Sequence, residues 1–453
     1  FWGGGFHLFY QYNPDGAYDD AGRMHWGHAS STDLVRWTDL PIALAPSPGG
    51  PDRSGCFSGD PIDWDGVPTL FYYGHPGGIC IATSDDRLLS WRKHPGNPVI
   101  PQPPDGVGEW RAFDPCVWKA GDTWHALSGG RVEGAGDTAF LFQSPDLLQW
   151  EYVGLFYGPG TERDCAVPDF FPLGDKHMLL FASHARGVQY YLGTYSDGRF
   201  NPERHGRMNF GGMGVESGDL CAAYTAPDDR GRRIVMGWVP EGRKTDVQRV
   251  SGWAGIMCLP RVLSLPEDGT LRIEPLPELE SLRRRHHGLK DFDLAGGSNP
   301  VLQGIQGSCL EIAADIEMGD AEEVGIEVLR SADGRERTAV YYSRDDAGLC
   351  LDTERSSLSP DVQGLVGVSE FGSAVQRGPL ELGHHERLQI RVFVDRSVVE
   401  AFASDRQCVT KRVYPSRHDS LGVALFARGG GATVRSLDVW QMASVWPEMG
   451  LQA

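Results

Sequence analysis

Short apolar stretches separated by turn residues run through the first 270 residues. Thr69–Tyr73, Thr123–Leu127, His177–Phe181 and Ile234–Trp238 read as strands, and the opening Phe6–Tyr12 has the same character. Beyond residue 270 the pattern becomes a strict alternation. Leu310, Ile312, Ala314, Ile316 and Met318 share one face, Leu388, Ile390, Val392 and Val394 a second, and Leu421, Val423 and Leu425 a third. Period-two alternation with polar turns such as Asp395-Arg396-Ser397 predicts a two-sheet antiparallel sandwich over 293–453. Between the two textures, 271–292 reads as a linker with a short helix around Pro275–Arg285, and no other helix of consequence is expected.

The first part repeats. Ser31–Trp37 and Ser144–Trp150 share the pattern Ser-x-Asp-Leu-x-x-Trp, and Ser84–Trp91 fits it with one insertion. A degenerate fourth copy is Tyr195–Phe200. A period of about 50–60 residues exceeds a solenoid repeat and suits a four-stranded propeller blade. A second register agrees: Asp60, Asp114, Asp169 and Asp219 recur at spacings of 54, 55 and 50, each followed by an apolar strand. Five such strands predict five blades over 1–270, so the fold class is all-β, a five-bladed β-propeller followed by a C-terminal antiparallel β-sandwich. In a propeller the first strand of each blade lines the central channel, and these aspartates would converge there. The alternative for any one of them is a turn or cap residue fixing its blade, the role expected of Asp33 and Asp146. Trp37, Trp91 and Trp150 lie in the repeat and are expected in the core.

Composition narrows the function. A formal net charge of −19 over 453 residues, with no basic cluster, argues against nucleic acid and anionic lipid as partners. No apolar run is long enough to span a membrane. The nine cysteines are scattered without a CxxC pair, which argues against a metal centre and a disulfide framework. Their odd number favours a reducing, cytoplasmic interior over secretion. The chain opens at Phe1 inside what reads as a β-element, so the natural N-terminus, with any targeting segment, is expected upstream. The aromatic, amide and imidazole groups of His7–Pro14 and Met24–Ser31 are of the kind that hydrogen-bond and stack on a small polyhydroxylated ligand. His25 and His28 lack a third ligand at matching spacing and are expected as hydrogen-bonded structural residues.

Several co-linear motifs resemble glycoside hydrolase family 32, the invertase, levanase and inulinase family. They are His7–Pro14, Met24–Ser31, Phe57-Ser58-Gly59, Phe113-Asp114-Pro115, Pro168–Pro172, Gly252–Leu263, Val392–Glu400 and Arg412–Pro415. The resemblance implies a propeller and sandwich, transfer of β-fructofuranosyl units with retention, and no cofactor. Retention needs two carboxyl groups about 5–5.5 Å apart, one attacking the anomeric carbon and one protonating the leaving oxygen. The family adds a third carboxylate that holds sugar hydroxyls.

Carried onto this chain, the stabilising carboxylate matches Asp114, where Phe113 replaces the family's preceding Arg. Arg111 either reaches the same hydroxyls or is an ordinary solvated Arg. The nucleophile is the Asp of an Asn-Asp-Pro-Asn-Gly motif that would fall just before Phe1. It is absent from this chain, which is therefore expected to be nearly inactive, with a first blade short of its inner strand. The family acid stands in Glu-Cys-Pro-Asp. Alignment on Pro168-Asp169 puts Ala166 in its place, alignment on Cys165 puts Asp164 there, and Glu162 is the longer alternative. A third possibility leaves neither carboxyl catalytic. Gln11, Trp26, Phe57 and Ser58 match positions that contact the fructosyl unit, Trp238 a rim aromatic, and Asp219 a blade residue near the site. Asp395-Arg396-Ser397 and Glu400 are expected to fix a hairpin and the packing between domains.

The expected activity is a retaining hydrolase acting on sucrose, fructo-oligosaccharides, levan or inulin. The alternatives are a fructosyltransferase of the same fold, including one forming a difructose anhydride, and a catalytically defective sugar-binding propeller. The partner in each case is a fructose-containing oligo- or polysaccharide, and monomer and homo-oligomer both remain open.

Overall fold

The computed structural model describes residues 1–17, 24–104, 110–134, 136–210, 219–362 and 374–446. Among them, the first 275 residues form five antiparallel sheets in chain order. The first holds three strands, Phe6–Tyr12, His25–Ser31 and Trp37–Leu44. The others are meanders opening with Gly55–Trp64, Cys116–Ala120, Ala166–Leu173 and Cys221–Pro227. Two six-stranded sheets follow and enclose one core that includes Leu310, Ile312, Ala314, Ile316, Leu388, Ile390, Val392, Val423 and Leu425. The alternation placed those side chains on inner faces, where burial of each Leu or Ile stabilises the fold by roughly 1.5–3 kcal/mol.

The Ser-x-Asp-Leu-x-x-Trp repeat is a turn held by its own backbone. Asp33 Oδ1 accepts from the amides of Val35 (2.9 Å) and Arg36 (2.7 Å), and Asp146 Oδ1 from those of Leu148 and Gln149 (both 2.9 Å). Leu34, Leu88 and Leu147 take the left-handed conformation at φ 61°, 67° and 64°. The three repeat tryptophans pack half-buried on the sheet cores.

The second register does something longer-ranged. Asp60 Oδ2 accepts from the Val117 amide at 3.0 Å, Asp114 from the Val167 amide, and Asp169 Oδ2 from the amide (2.7 Å) and hydroxyl (2.6 Å) of Thr225. Each aspartate thus caps a strand of the next sheet, tying the second sheet to the third, the third to the fourth and the fourth to the fifth. Tyr224 sits among Asp60, Asp114 and Asp169, so these three do converge. Asp219 departs from the series: its carboxylate accepts from Lys411 Nζ (2.7 Å) and Gln376 Nε2, both on sandwich strands.

Two expectations about the junction are corrected. Arg272–Pro275 pairs with Arg261–Ser264 and closes the fifth sheet, while Arg283–Leu294 is already a sandwich strand. Only 276–282 connect the two, carrying the 3-10 helix Pro277–Leu282, so the linker is far shorter than 271–292. A second short helix, Thr245–Ser251, lies outside it. Phe393, Phe402 and Cys408 of the sandwich share a core with Ile234, Leu263 and Leu279, and Glu400 forms a buried pair with Arg261 across that interface. No described helix is long and apolar enough to cross a membrane.

Candidate active site

The first strands of the second, fourth and fifth sheets each carry an irregularity near their start. The pairing slips between Cys56 and Gly59, between Ala166 and Asp169, and between Cys221 and Tyr224. A bulge bends its strand and re-aims the extra side chains. Asp114, Val167 and Ala222 share left-handed φ values of 44°, 45° and 47°, a conformation costing roughly 1–3 kcal/mol that the surrounding structure must enforce. In the second sheet the extra residues are Phe57 and Ser58. The Trp26 indole N–H donates to Phe57 O at 2.8 Å, and only glycine fits at 59, because a Cβ there would lie 2.2 Å from Phe71 O.

This bulge builds the centre of the site. Gln11 Nε2 donates to Ser58 Oγ at 3.1 Å, and Ser58 lies beside the Asp114 carboxylate and favours its ionised form. Burial pushes the Asp114 carboxyl up to about 6, against the His184 charge and the hydrogen bonds from Ser58 and Val167. It is ionised at neutral pH and can accept from sugar hydroxyls. Phe57 turns its ring toward Tyr73 and His75, with centroids 5.9 and 5.8 Å away.

Beside Asp114 opens a cavity of about 270 Å³ whose walls include Arg111, Phe113, Arg131, Asp164, Ala166 and His184. The buried Ser128 hydroxyl shapes its rim, donating to Arg111 O at 2.6 Å and accepting from the Phe113 amide at 3.0 Å. Arg111 is exposed and faces the same space as Asp164.

The two acid candidates part company. Glu162 has a side chain only 2% exposed, takes two bonds from Arg186 Nη1 at 3.0 and 3.1 Å, and has His205 Nε2 at 3.6 Å. It is absorbed in a buried ion pair and lines no part of the cavity. Asp164 lines it. Its carboxylate accepts from Ser183 Oγ (3.0 Å), from the His184 amide (3.1 and 3.3 Å) and from His184 Nδ1 (2.5 Å). Burial pushes this carboxyl up, but the His184 and Ser183 bonds prevail and hold it below the usual range. The Asp164 bond in turn holds the His184 imidazole above its ordinary value, against burial, with Asp114 adding to the rise. Ala166, which takes the acid position only when the chain is aligned on Pro168-Asp169, contributes only a methyl group.

His184 was missed in the sequence. Ala166 pairs with Ala182 in the hairpin of the fourth sheet, so two residues outward 164 faces 184. That register, applied to the apolar strand ending at Ser183, was the signal available.

Other expected site residues lie elsewhere. Trp26 is corrected to a supporting role: at 4% exposure, packed on Phe9 and Tyr72, it offers no face to a sugar and instead pins the Phe57 carbonyl. Asp219 is corrected to the junction with the sandwich, where Lys411 and Gln376 hold it. Trp238 is 39% exposed and free to stack, but it lines no part of the cavity. His28 is fully buried, 3.0 Å from His7 Nδ1 and stacked on Phe9, and burial lowers it to about 4. No group of three metal-ligating side chains occurs among the described residues.

Two family models match consecutively: the glycosyl hydrolases family 32 N-terminal domain over residues 1–275 and the family 32 C-terminal domain over 278–441. The chain belongs to glycosyl hydrolase family 32. The junction between the two matches falls on the 3-10 connection. Among family 32 relatives, the sucrose-6-phosphate hydrolase of Zymomonas mobilis is 31% identical, covering 98% of this chain and 88% of its own length. The levanase of Bacillus subtilis is also 31% identical, covering 98% of this chain and 68% of its own. In fold, the family 32 chain is similar to fructan 1-exohydrolase IIa from Cichorium intybus (TM-score 0.85, 24% identity, 98% of this chain and 93% of that one). It is also similar to exo-inulinase from Aspergillus awamori (TM-score 0.79, 22% identity, 98% and 95%).

Proposed function

We propose that this protein is a retaining β-fructofuranosidase that releases fructosyl units from sucrose, fructo-oligosaccharides or fructans. The observation that carries this reading is the buried Asp114 carboxylate, set beside Ser58, which accepts from Gln11, and within electrostatic reach of His184, which lines the cavity together with Asp164. An ionised carboxylate fixed by a neighbouring hydroxyl and amide is suited to accept from the fructosyl hydroxyls. It also stabilises positive charge growing at the anomeric carbon. Gln11, Ser58 and Phe57 would contact the same sugar, and Arg111 the adjoining unit. Membership in family 32 and the relatives named sucrose-6-phosphate hydrolase and levanase support the substrate class.

In this reading the five sheets of residues 1–275 are the five blades of one propeller. The aspartate clasps from sheet to sheet support that arrangement. The nucleophile is assigned to no residue of this chain. Nine cysteines without a disulfide fit a reducing compartment, and we place the protein there.

Incubating the full-length protein with sucrose, inulin and levan, with products separated by chromatography, tests the function. Free fructose is expected. Transferred or cyclised products would indicate the fructosyltransferase alternative, and binding without turnover a defective propeller.

A further inference from the structure

Glu162 is tied up in a buried ion pair with Arg186, and the Asp164 carboxylate is committed to Ser183 and His184, so protonation of the leaving oxygen has to come from a neighbouring group. The cavity beside Asp114 offers one group suited to it. His184 has a side chain 64% exposed, and its Nδ1 is committed to Asp164 Oδ2 at 2.5 Å. Its Nε2 has no hydrogen-bond partner among the described residues, and the ring lines the cavity together with Ala166. Asp164 is fixed in turn by Ser183 Oγ and by the His184 amide, so carboxylate and imidazole form one rigid unit. The Cys165 backbone packs directly against Gly129, where a Cβ would lie 2.2 Å from Cys165 O.

Building on the fructosidase reading, we propose that His184 protonates the leaving oxygen, with Asp164 as the residue that positions it. A carboxylate nucleophile forms an ester bond to C2 of the fructosyl unit as the C2–O bond breaks. The electron pair of that bond goes to the glycosidic oxygen, which takes the proton from Nε2 of the imidazolium. In the second step the neutral imidazole removes a proton from water, whose oxygen attacks C2 and frees the carboxylate. Asp164 stays ionised throughout and stabilises the imidazolium, the role a buried carboxylate plays behind a catalytic histidine. The charged groups facing His184 are Asp164 and Asp114, and Arg111 and Arg131 line the same cavity. The two carboxylates favour the proton on the ring.

The test compares sucrose, whose leaving alkoxide needs a proton, with p-nitrophenyl β-fructofuranoside, whose phenolate does not. In the full-length protein, His184→Gln is expected to lose about 10²–10⁴-fold in kcat on sucrose and less than about tenfold on the nitrophenyl substrate. The retained nitrophenyl activity also reports that the variant is folded. Asp164→Asn keeps the shape but removes the charge, so the alkaline limb of kcat/KM on sucrose should move to lower pH. Equal losses on both substrates in His184→Gln, or an unmoved limb in Asp164→Asn, would overturn the proposal while leaving the fructosidase reading intact. A wild-type protein inactive on both substrates would overturn that reading, and this proposal with it.

Discussion

Glu400→Ala removes one half of a buried charge pair at the interface between the sheets and the sandwich. The Arg261 and Glu400 side chains are 1% and 2% exposed. Arg261 Nη2 donates to Glu400 Oε2 at 2.7 Å and Thr410 Oγ1 at 2.6 Å, and its Nε and Nη1 have no partner among the described residues. Glu400 Oε1 also accepts from the Leu259 amide at 2.7 Å. Substitution therefore leaves a buried guanidinium without its counter-charge and orphans a backbone N–H. Breaking such a pair costs about 3–5 kcal/mol, most of it from the charge left behind. For a unit the size of the sandwich that corresponds to a fall in Tm of roughly 6–20 °C. Thermal and urea unfolding, followed by tryptophan fluorescence, read the loss. The double variant Arg261→Met, Glu400→Leu removes both charges and should recover most of the stability. A single-variant loss under about 1 kcal/mol, or a double variant no better than the single one, would refute the reasoning.

Other expectations follow from the same physics. Asp60, pushed up to about 7 by burial, keeps its proton in the folded state while the unfolded carboxyl loses it near its ordinary value of 3.8. Stability should therefore fall as pH rises from 4 through 7, by at most about 4 kcal/mol. Asp60→Asn, which keeps the bond to the Val117 amide, should flatten that slope in denaturation curves measured across the range. Gly59→Ala forces a methyl group against Phe71 O and should cost about 1–3 kcal/mol in urea denaturation while displacing Ser58, seen as a raised KM for sucrose. Glu162→Gln should lower Tm by loosening Arg186 and leave the pH profile of fructose release where it was; a moved alkaline limb would restore Glu162 as the acid.

Features set by local or periodic physics were legible in the chain. The alternation through Leu310–Met318 and Leu388–Val394 predicted inner faces, and the Asp33 and Asp146 turns follow from carboxylates bonding amides two and three residues on. The register of Asp60, Asp114 and Asp169 was visible as spacing. Its meaning was not, because each carboxylate bonds an amide more than fifty residues ahead, in the next sheet. Asp219 shows the limit of the repeat: the same spacing delivers it to Lys411 once the sandwich is the neighbour. Trp26 was misread because Phe9 and Tyr72, on strands far apart in sequence, decide its burial. The choice between Asp164 and Glu162 needed the side chains of Arg186 and His184, brought in by hairpin pairing.

The central claim is that Asp114, held by Ser58 and the Val167 amide, stabilises a fructosyl transition state. Fructose release from sucrose by the full-length protein and its Asp114→Asn variant tests it most directly. The account predicts release by the wild type and a loss of at least about 100-fold in kcat in the variant, with KM little changed. No fructose from the wild type, or a variant as fast as the wild type, would contradict it.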